Sequence, residues 1–203
     1  MATVSDGFAK AMATFGERYR GEVFWTLDGH VSTVTLNRPS AMNTMSGYLN
    51  AGVTEALDWC AEEQHVRVVV FSGGTGRAFC AGGDLGGGGT DEDGKKKEGG
   101  ASSGFKGSGF NNTVQMAVRN LRNGMGSSET LRFMDKITIC AVNGACAGAG
   151  FSWACACDLR FCSEKAVFRT AFRDAGLSGD YGEYPAQYQS ATSATPAPMI
   201  CDD

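Results

Sequence analysis

Apolar residues recur along this chain of 203 residues with two different periods, and the switches between them outline its elements. Glu22–Leu27 and Val31–Asn37 alternate in the manner of strands, and Asp28-Gly29 between them has the chemistry of a tight hairpin turn. Pro39 ends the second strand, because it has no N–H to give to a ladder. Leu49, Val53, Ala56, Leu57 and Cys60 then fall at helical spacing, so a helix capped by Thr44 or Ser46 is expected to run to about Gln64. Val66–Phe71 is apolar except for Arg67, the pattern of a strand covered on both faces. Helical spacing returns over Thr113–Met134 through Val114, Ala117, Val118, Leu121 and Met125. A strand at 137–142, a small-residue helix from about Gly148 to Cys157, and short strands around Leu159–Phe161 and Ala166–Phe168 complete the series. Strands alternating with helices predict an α/β architecture; no internal repeat is visible in the sequence.

Three stretches fall outside this patterning. Residues 1–20 precede the first strand and read as an N-terminal extension to a core of residues 21–182. Residues 86–110 are dominated by Gly, Ser and mixed charge, with almost nothing apolar to bury, and are expected to form a mobile loop. Within them Lys95-Lys96-Lys97 reads as a solvated charge run rather than a phosphate contact. From Glu183 the composition turns to Ser, Thr, Ala and Pro with no period, so residues 183–203 are expected to be a disordered tail.

Composition narrows the class further. A hydrophobic content of 42%, a charged content of 20% and a formal net charge of −4 fit a soluble globular protein. They offer none of the clustered basic charge that nucleic acid demands, so no nucleic-acid partner is expected. No apolar run reaches transmembrane length, and Met1–Lys10 lacks the apolar core of a secretory signal, so an intracellular protein without a membrane partner is expected. Cytoplasm, mitochondrion and peroxisome are not distinguished, although Cys201-Asp202-Asp203 is no peroxisomal signal. Of the eight cysteines, Cys140, Cys146, Cys155, Cys157 and Cys162 lie in one apolar stretch and read as small buried thiols. Cys155-Ala156-Cys157 has the wrong spacing for zinc, and the two histidines, His30 and His65, are remote in sequence, so no metal site is expected.

The candidate chemistry lies in two Gly-rich turns that each follow an apolar strand. One is Arg77-Ala78-Phe79-Cys80-Ala81-Gly82-Gly83-Asp84-Leu85; the other is Ala141-Val142-Asn143-Gly144-Ala145-Cys146-Ala147-Gly148-Ala149-Gly150. Small residues there let a ligand approach the backbone, and N–H groups at a helix start suit a phosphate or a developing oxyanion. Neither turn is a P-loop, since no Gly-Lys-Ser/Thr follows, and the glycine spacing is wrong for dinucleotide binding. Together with Asn37-Arg38-Pro39, Ala41-Met42-Asn43 and Cys157-Asp158-Leu159-Arg160, they resemble the motifs of the crotonase (enoyl-CoA hydratase/isomerase) superfamily, in order and separation, over roughly residues 20 to 182.

That resemblance implies a crotonase-like spiral of repeated ββα units and an acyl-CoA thioester as substrate, with coenzyme A arriving as part of it and no separate cofactor. It also implies two backbone donors to the thioester carbonyl, which fall on this chain at Gly83 and Ala149. Ala41 and Met42, with Ala81, Gly83, Asp84 and Leu85, correspond to the segments that cradle CoA. Hydratases of the family carry two glutamates, but the corresponding positions here hold Ser152 and Phe172, which cannot shuttle protons as carboxylates do. Asp180, in Gly176-Leu177-Ser178-Gly179-Asp180-Tyr181-Gly182, stands where branches that shift double bonds use an aspartate. The implied activity is therefore isomerisation or a related lyase step in fatty-acid-type metabolism, with Asp180, Gly83 and Ala149 as the catalytic set. Against this stands a non-catalytic homologue that binds acyl-CoA or a full-length subunit. Family members are homotrimeric or hexameric and continue past Asp180 into helices that complete the trimer. This chain lacks that pattern, so truncation, an exposed core face and abnormal assembly are expected.

Overall fold

The computed structural model describes residues 4–84, 114–171 and 199–202, in nine strands and four α-helices. The expected hairpin is present: β1 (Val23–Asp28) pairs antiparallel with β2 (Val31–Leu36). A single 3₁₀ turn, Pro39–Ala41, leads to α2 (Gly47–Glu62), and Ser46 is its cap, accepting from the Leu49 N–H at 3.0 Å. Then come β3 (Val68–Ser72), β4 (Ala78–Cys80), α3 (Val114–Phe133), β5 (Ile137–Val142) and β6 (Ala145–Ala147). They are followed by α4 (Ala149–Ala156), β7 (Leu159–Ser163) and β8 (Val167–Arg169).

Two sheets result. The larger has the order β1-β2-β3-β5-β7-β9, parallel apart from β1, and the smaller is the parallel set β4-β6-β8. The chain thus repeats one unit. From β3 on, the first strand of each unit joins the large sheet, the second joins the small sheet, and a helix returns the chain to the next unit. No sequence repeat announces this, because the shared feature is the crossover and not the side chains.

Two elements depart from expectation. Residues counted as an extension contain α1 (Val4–Arg18), whose Phe8, Met12 and Phe15, with Tyr19 just beyond, recur on one face. Phe8 meets the Trp25 ring edge to face at 4.9 Å and Phe15 meets it tilted at 5.4 Å, which makes α1 part of the core. Met199–Asp202, expected to lie in a disordered tail, form β9 and pair in parallel with β7. The rest of that tail and the loop 86–110 lie outside the described residues.

An aromatic cluster joins the two sheets where the Gly-rich turns emerge. Phe71 on β3 meets Phe79 on β4 at 5.4 Å and Trp153 on α4 at 5.2 Å, both edge to face, and all three are fully buried. The Trp153 indole N–H donates to Ser127 Oγ at 2.9 Å, so its polar edge is satisfied in the core. Arg160 is buried too, and its guanidinium donates to the carbonyls of Ala154 (3.0 Å) and Cys157 (2.9 Å) at the end of α4. A cation at a helix C-terminus meets orphan carbonyls there.

Cys60, Cys80, Cys140, Cys146, Cys155, Cys157 and Cys162 are free thiols, and all of these but Cys155 are buried. Burial pushes the Cys60 thiol up to about 11 and the Cys80 thiol up to about 12, and it raises Cys140 and Cys146 as well. Unfolded thiols ionise near ~8.5, so above that pH the unfolded chain loses protons that the folded chain keeps, and stability falls as pH rises towards 12. Urea midpoints measured from pH 7 to 10 should decline accordingly. Alkylating reagent at pH 8 should label these thiols at the rate of global unfolding rather than at the rate of a free thiol.

Candidate functional site

The two Gly-rich turns leave neighbouring strands at matching positions. Cys80 on β4 pairs with Cys146 on β6, and Gly83 and Ala149 each lie three residues beyond the paired cysteine. Gly82, at φ +97, brings its backbone so close to the other turn that an added Cβ would stand 3.1 Å from the Ala147 carbonyl and 3.5 Å from Gly148 Cα. Gly148 itself has φ +53 and caps α4. An added Cβ at Gly150 would meet Cys80 O at 2.4 Å, so the first turn of α4 lies directly on β4. Glycine is required at these close approaches, which explains the composition of both turns.

Ala149 is the first residue of α4. The first intrahelical bond there runs from the Ser152 N–H to the Gly148 carbonyl at 3.1 Å, so the N–H groups of Ala149, Gly150 and Phe151 precede any intrahelical acceptor. At the other turn, the bridge between Met45 and Gly83 runs through the Met45 N–H and the Gly82 carbonyl at 2.8 Å, so it leaves the Gly83 N–H unused. An added Cβ at Gly83 would have open space around it. Each turn thus has a backbone N–H outside the helix and ladder bonds, and the one at Ala149 lies at a helix N-terminus, where negative charge on an oxygen is favoured.

A third segment holds the first turn in place. Met42 and Asn43 both have left-handed backbones, φ 53 and 52. Asn43 is fully buried. Its Oδ1 accepts from the Arg38 N–H at 2.7 Å, while Nδ2 donates to the carbonyls of Gly73, Ala78 and Phe79 at 2.9, 3.1 and 3.0 Å. The Ala81 N–H donates to the Met42 carbonyl at 3.1 Å, which clamps the turn to this segment. Ala41 closes the 3₁₀ turn, and Met42 remains 36% exposed.

Arg38 ties the same corner together. Its Nη2 lies 2.9 Å from Asp84 Oδ2, its Nε lies 3.7 Å from Glu22 Oε1, and its Nη1 donates to the carbonyl and the hydroxyl of Thr44, both at 2.9 Å. Ser46 Oγ donates to Glu22. Asp84 was expected to cradle CoA or cap a turn; it is ion-paired to Arg38, with its side chain only 17% exposed. Asp158, in the Cys-Asp-Leu-Arg motif, accepts from the N–H and the hydroxyl of Thr138, both at 2.9 Å, and is likewise structural. Ser152 is fully buried inside α4, with its hydroxyl 3.5 Å from the Gly148 carbonyl. Leu85, Phe172 and Asp180 lie outside the described residues.

Sequence reasoning quoted Asn43 and Arg38 only as parts of motifs and missed what they do. The one available signal was a short, polar, non-periodic stretch placed between a strand and a capped helix. His30 and His65, remote in sequence, are adjacent in the fold, with ring centroids 6.4 Å apart. Among the described residues no three His, Cys, Asp or Glu side chains gather as metal ligands would. No helix among them is long and apolar enough to cross a membrane.

The enoyl-CoA hydratase/isomerase family model matches residues 26–191, and the chain belongs to that family. It is 33% identical over 154 residues to the (E)-benzylidenesuccinyl-CoA hydratase of Thauera aromatica, covering 75% of this chain and 52% of that one. To the 1,2-epoxyphenylacetyl-CoA isomerase of Escherichia coli (strain K12) it is 32% identical over 152 residues, covering 75% and 51%. A Thermobifida fusca YX protein solved in complex with CoA shares the fold with a TM-score of 0.68 at 26% identity, over 87% of this chain and 62% of that one. The chain spans about half the length of the curated relatives it matches. The crotonase-like spiral implied by the motifs is the fold observed.

Proposed function

We propose that this chain binds an acyl-CoA thioester and stabilises an enolate-like oxyanion on its carbonyl, through the backbone N–H groups of Gly83 and Ala149. The reaction this serves is double-bond isomerisation or a related lyase step, with Asp180 transferring the proton and coenzyme A entering only as part of the substrate. The observation that carries the reading is the contact between the two turns, with Gly82 against Ala147 and Gly148. It supports the reading because Gly83 and Ala149 stand at equivalent positions beyond the paired strands β4 and β6. Support also comes from the names of the relatives, a CoA-ester hydratase and a CoA-ester isomerase, and from the solved homologue that holds CoA. Ala149 contributes a methyl group that most such turns lack, which narrows the room beside the thioester without removing the donor.

The test is Ala149→Pro. The first helical position tolerates proline, whose fixed φ suits it and whose missing N–H has no intrahelical partner to lose. Turnover of an enoyl-CoA is expected to fall about 10²–10³-fold, the usual cost of one oxyanion donor. Thermal stability should stay close to that of the parent. Unchanged turnover would remove Ala149 from the site.

A second reading is a non-catalytic homologue that binds acyl-CoA or a full-length subunit. It is favoured by Ser152, whose hydroxyl lies against the Gly148 carbonyl where a hydratase would need a free carboxylate, and by Phe at 172. Acyl-CoA binding and turnover measured on one preparation separate the two: binding without turnover supports the second.

A further inference from the structure

A cavity of ≈ 440 Å³ lies at the N-terminal edge of the large sheet, lined by His30, Gln64, His65, Arg67 and Lys136. This is the end of the sheet away from the strand exits that lead into β4 and β6. Val31, Val68 and Ile137 pair across β2, β3 and β5, and the residues before them extend the ladder by one rank. The Arg67 N–H donates to the His30 carbonyl at 2.9 Å, and the Ile137 N–H donates to the Arg67 carbonyl at 3.1 Å. His30, Arg67 and Lys136 therefore stand on successive strands about 4.8 Å apart.

Like charges on neighbouring strands repel, and sheets normally relieve this with a carboxylate. Here none is supplied. The ion pairs among the described residues involve Arg18 and Arg38, and the lining of the cavity contains no Asp or Glu. Two carboxylates adjoin it in sequence: Glu63 accepts from the His65 N–H at 3.1 Å, and Asp135, beside Lys136, is neither in those ion pairs nor in the lining. His30 Nδ1 donates to the His65 carbonyl at 2.7 Å, which fixes the ring and leaves Nε2 for a ligand or a proton. The two imidazoles lie parallel, within 6°. Every lining side chain can offer N–H donors, in a chain whose net charge is −4.

We propose that this rank of N–H donors, with the two cations Arg67 and Lys136, is a binding site for phosphate oxyanions, separate from the thioester site and suited to a diphosphate or a phosphomonoester. Arg67 supplies the planar fork that matches two phosphate oxygens, Lys136 supplies a point charge beside it, and the histidines close the side. Two sources carry this chemistry: a free phosphate compound, or the phosphoryl groups of CoA itself.

Pyrophosphate titrated into the purified full chain, followed by ³¹P line width and thermal melting, should bind saturably and raise the melting temperature; potassium chloride at equal ionic strength should not. Arg67→Gln and Lys136→Gln should each weaken binding about tenfold, the worth of one charge-assisted contact. Arg67→Lys keeps the charge without the fork and should bind between parent and Arg67→Gln, which separates lost charge from lost fold. CoA affinity that falls with Arg67→Gln assigns the phosphates to CoA; unchanged CoA affinity assigns them to a free compound. Absence of saturable binding, equal effects from chloride, or full affinity in the Arg67→Gln/Lys136→Gln double variant would overturn the site.

Discussion

An Asp180→Asn protein is expected to bind an enoyl-CoA as the parent does and to turn it over about 10²–10⁴-fold more slowly, the range for loss of a general acid or base. The expectation rests on the resemblance, and the described carboxylates near the two turns leave room for it. A proton must move between carbons beside the oxyanion, and the carboxylates near the two turns are already engaged. Asp84 and Glu22 are bound to Arg38, and Asp158 to the Thr138 N–H and hydroxyl. Ser152 is buried against its own helix, with neither histidine near it in sequence to activate it. The Cys80 and Cys146 thiols flanking the turns are held protonated by burial. The resemblance assigns the proton transfer to Asp180, and desolvation beside an acyl chain raises a carboxyl group's affinity for its proton. Asn has nearly the same shape and hydrogen-bonding reach, so ground-state binding should persist while kcat collapses. The pH profile gives a second readout, because an ionisation present in the parent should vanish in the variant. Turnover within tenfold of the parent would show that another group, or water, carries the proton.

The same contacts explain which parts of the molecule could be read from residues alone. Alternating and helical periods mark β1, β2, α2 and α3, a continuous apolar run marks β3, and small residues after a strand mark α4. The strands β4 and β6 have three residues each, too few for any period, whereas β8, equally short, falls on the strand expected at Ala166–Phe168. The turns after β4 and β6 were legible as backbone that must tolerate close approach, since glycine leaves a strong trace. What glycine at 82 approaches could not be read: Ala147 is 65 residues away in sequence, and only the crossover brings it near. The ion pair of Asp84 is hidden for the same reason. Its partner Arg38 belongs to the preceding unit of the spiral, so a residue with every appearance of a turn cap is one half of an ion pair between units. α1 was passed over although its apolar spacing was present, because nothing in sequence says that Trp25 awaits Phe8 and Phe15.

Asn43→Asp should be the most damaging change of a single atom in the molecule. Oδ1 meets a backbone N–H and Nδ2 meets three carbonyls, so this amide has one orientation consistent with its surroundings. An aspartate keeps the acceptor but turns the donor into an oxygen facing the carbonyls of Gly73, Ala78 and Phe79. In a fully buried position the loss should exceed about 3 kcal/mol at pH 7, since unsatisfied groups cost roughly 1–3 kcal/mol each and a charge costs more. The sign of its pH dependence is distinctive. The new carboxyl is stabilised by keeping its proton and donating to one carbonyl, so its folded pKa lies above the unfolded value of about 3.9. The folded variant then binds more protons than the unfolded one, and stability relative to the parent recovers as pH falls towards 4. Urea midpoints of parent and variant at pH 7 and pH 4.5 should therefore converge at the lower pH. Because Asn43 also holds the strand that leads into Gly82 and Gly83, any folded fraction should show weakened acyl-CoA binding. A variant within about 0.5 kcal/mol of the parent at both pH values would mean that the turn is held without Asn43, the segment's main chain alone fixing the Gly83 donor.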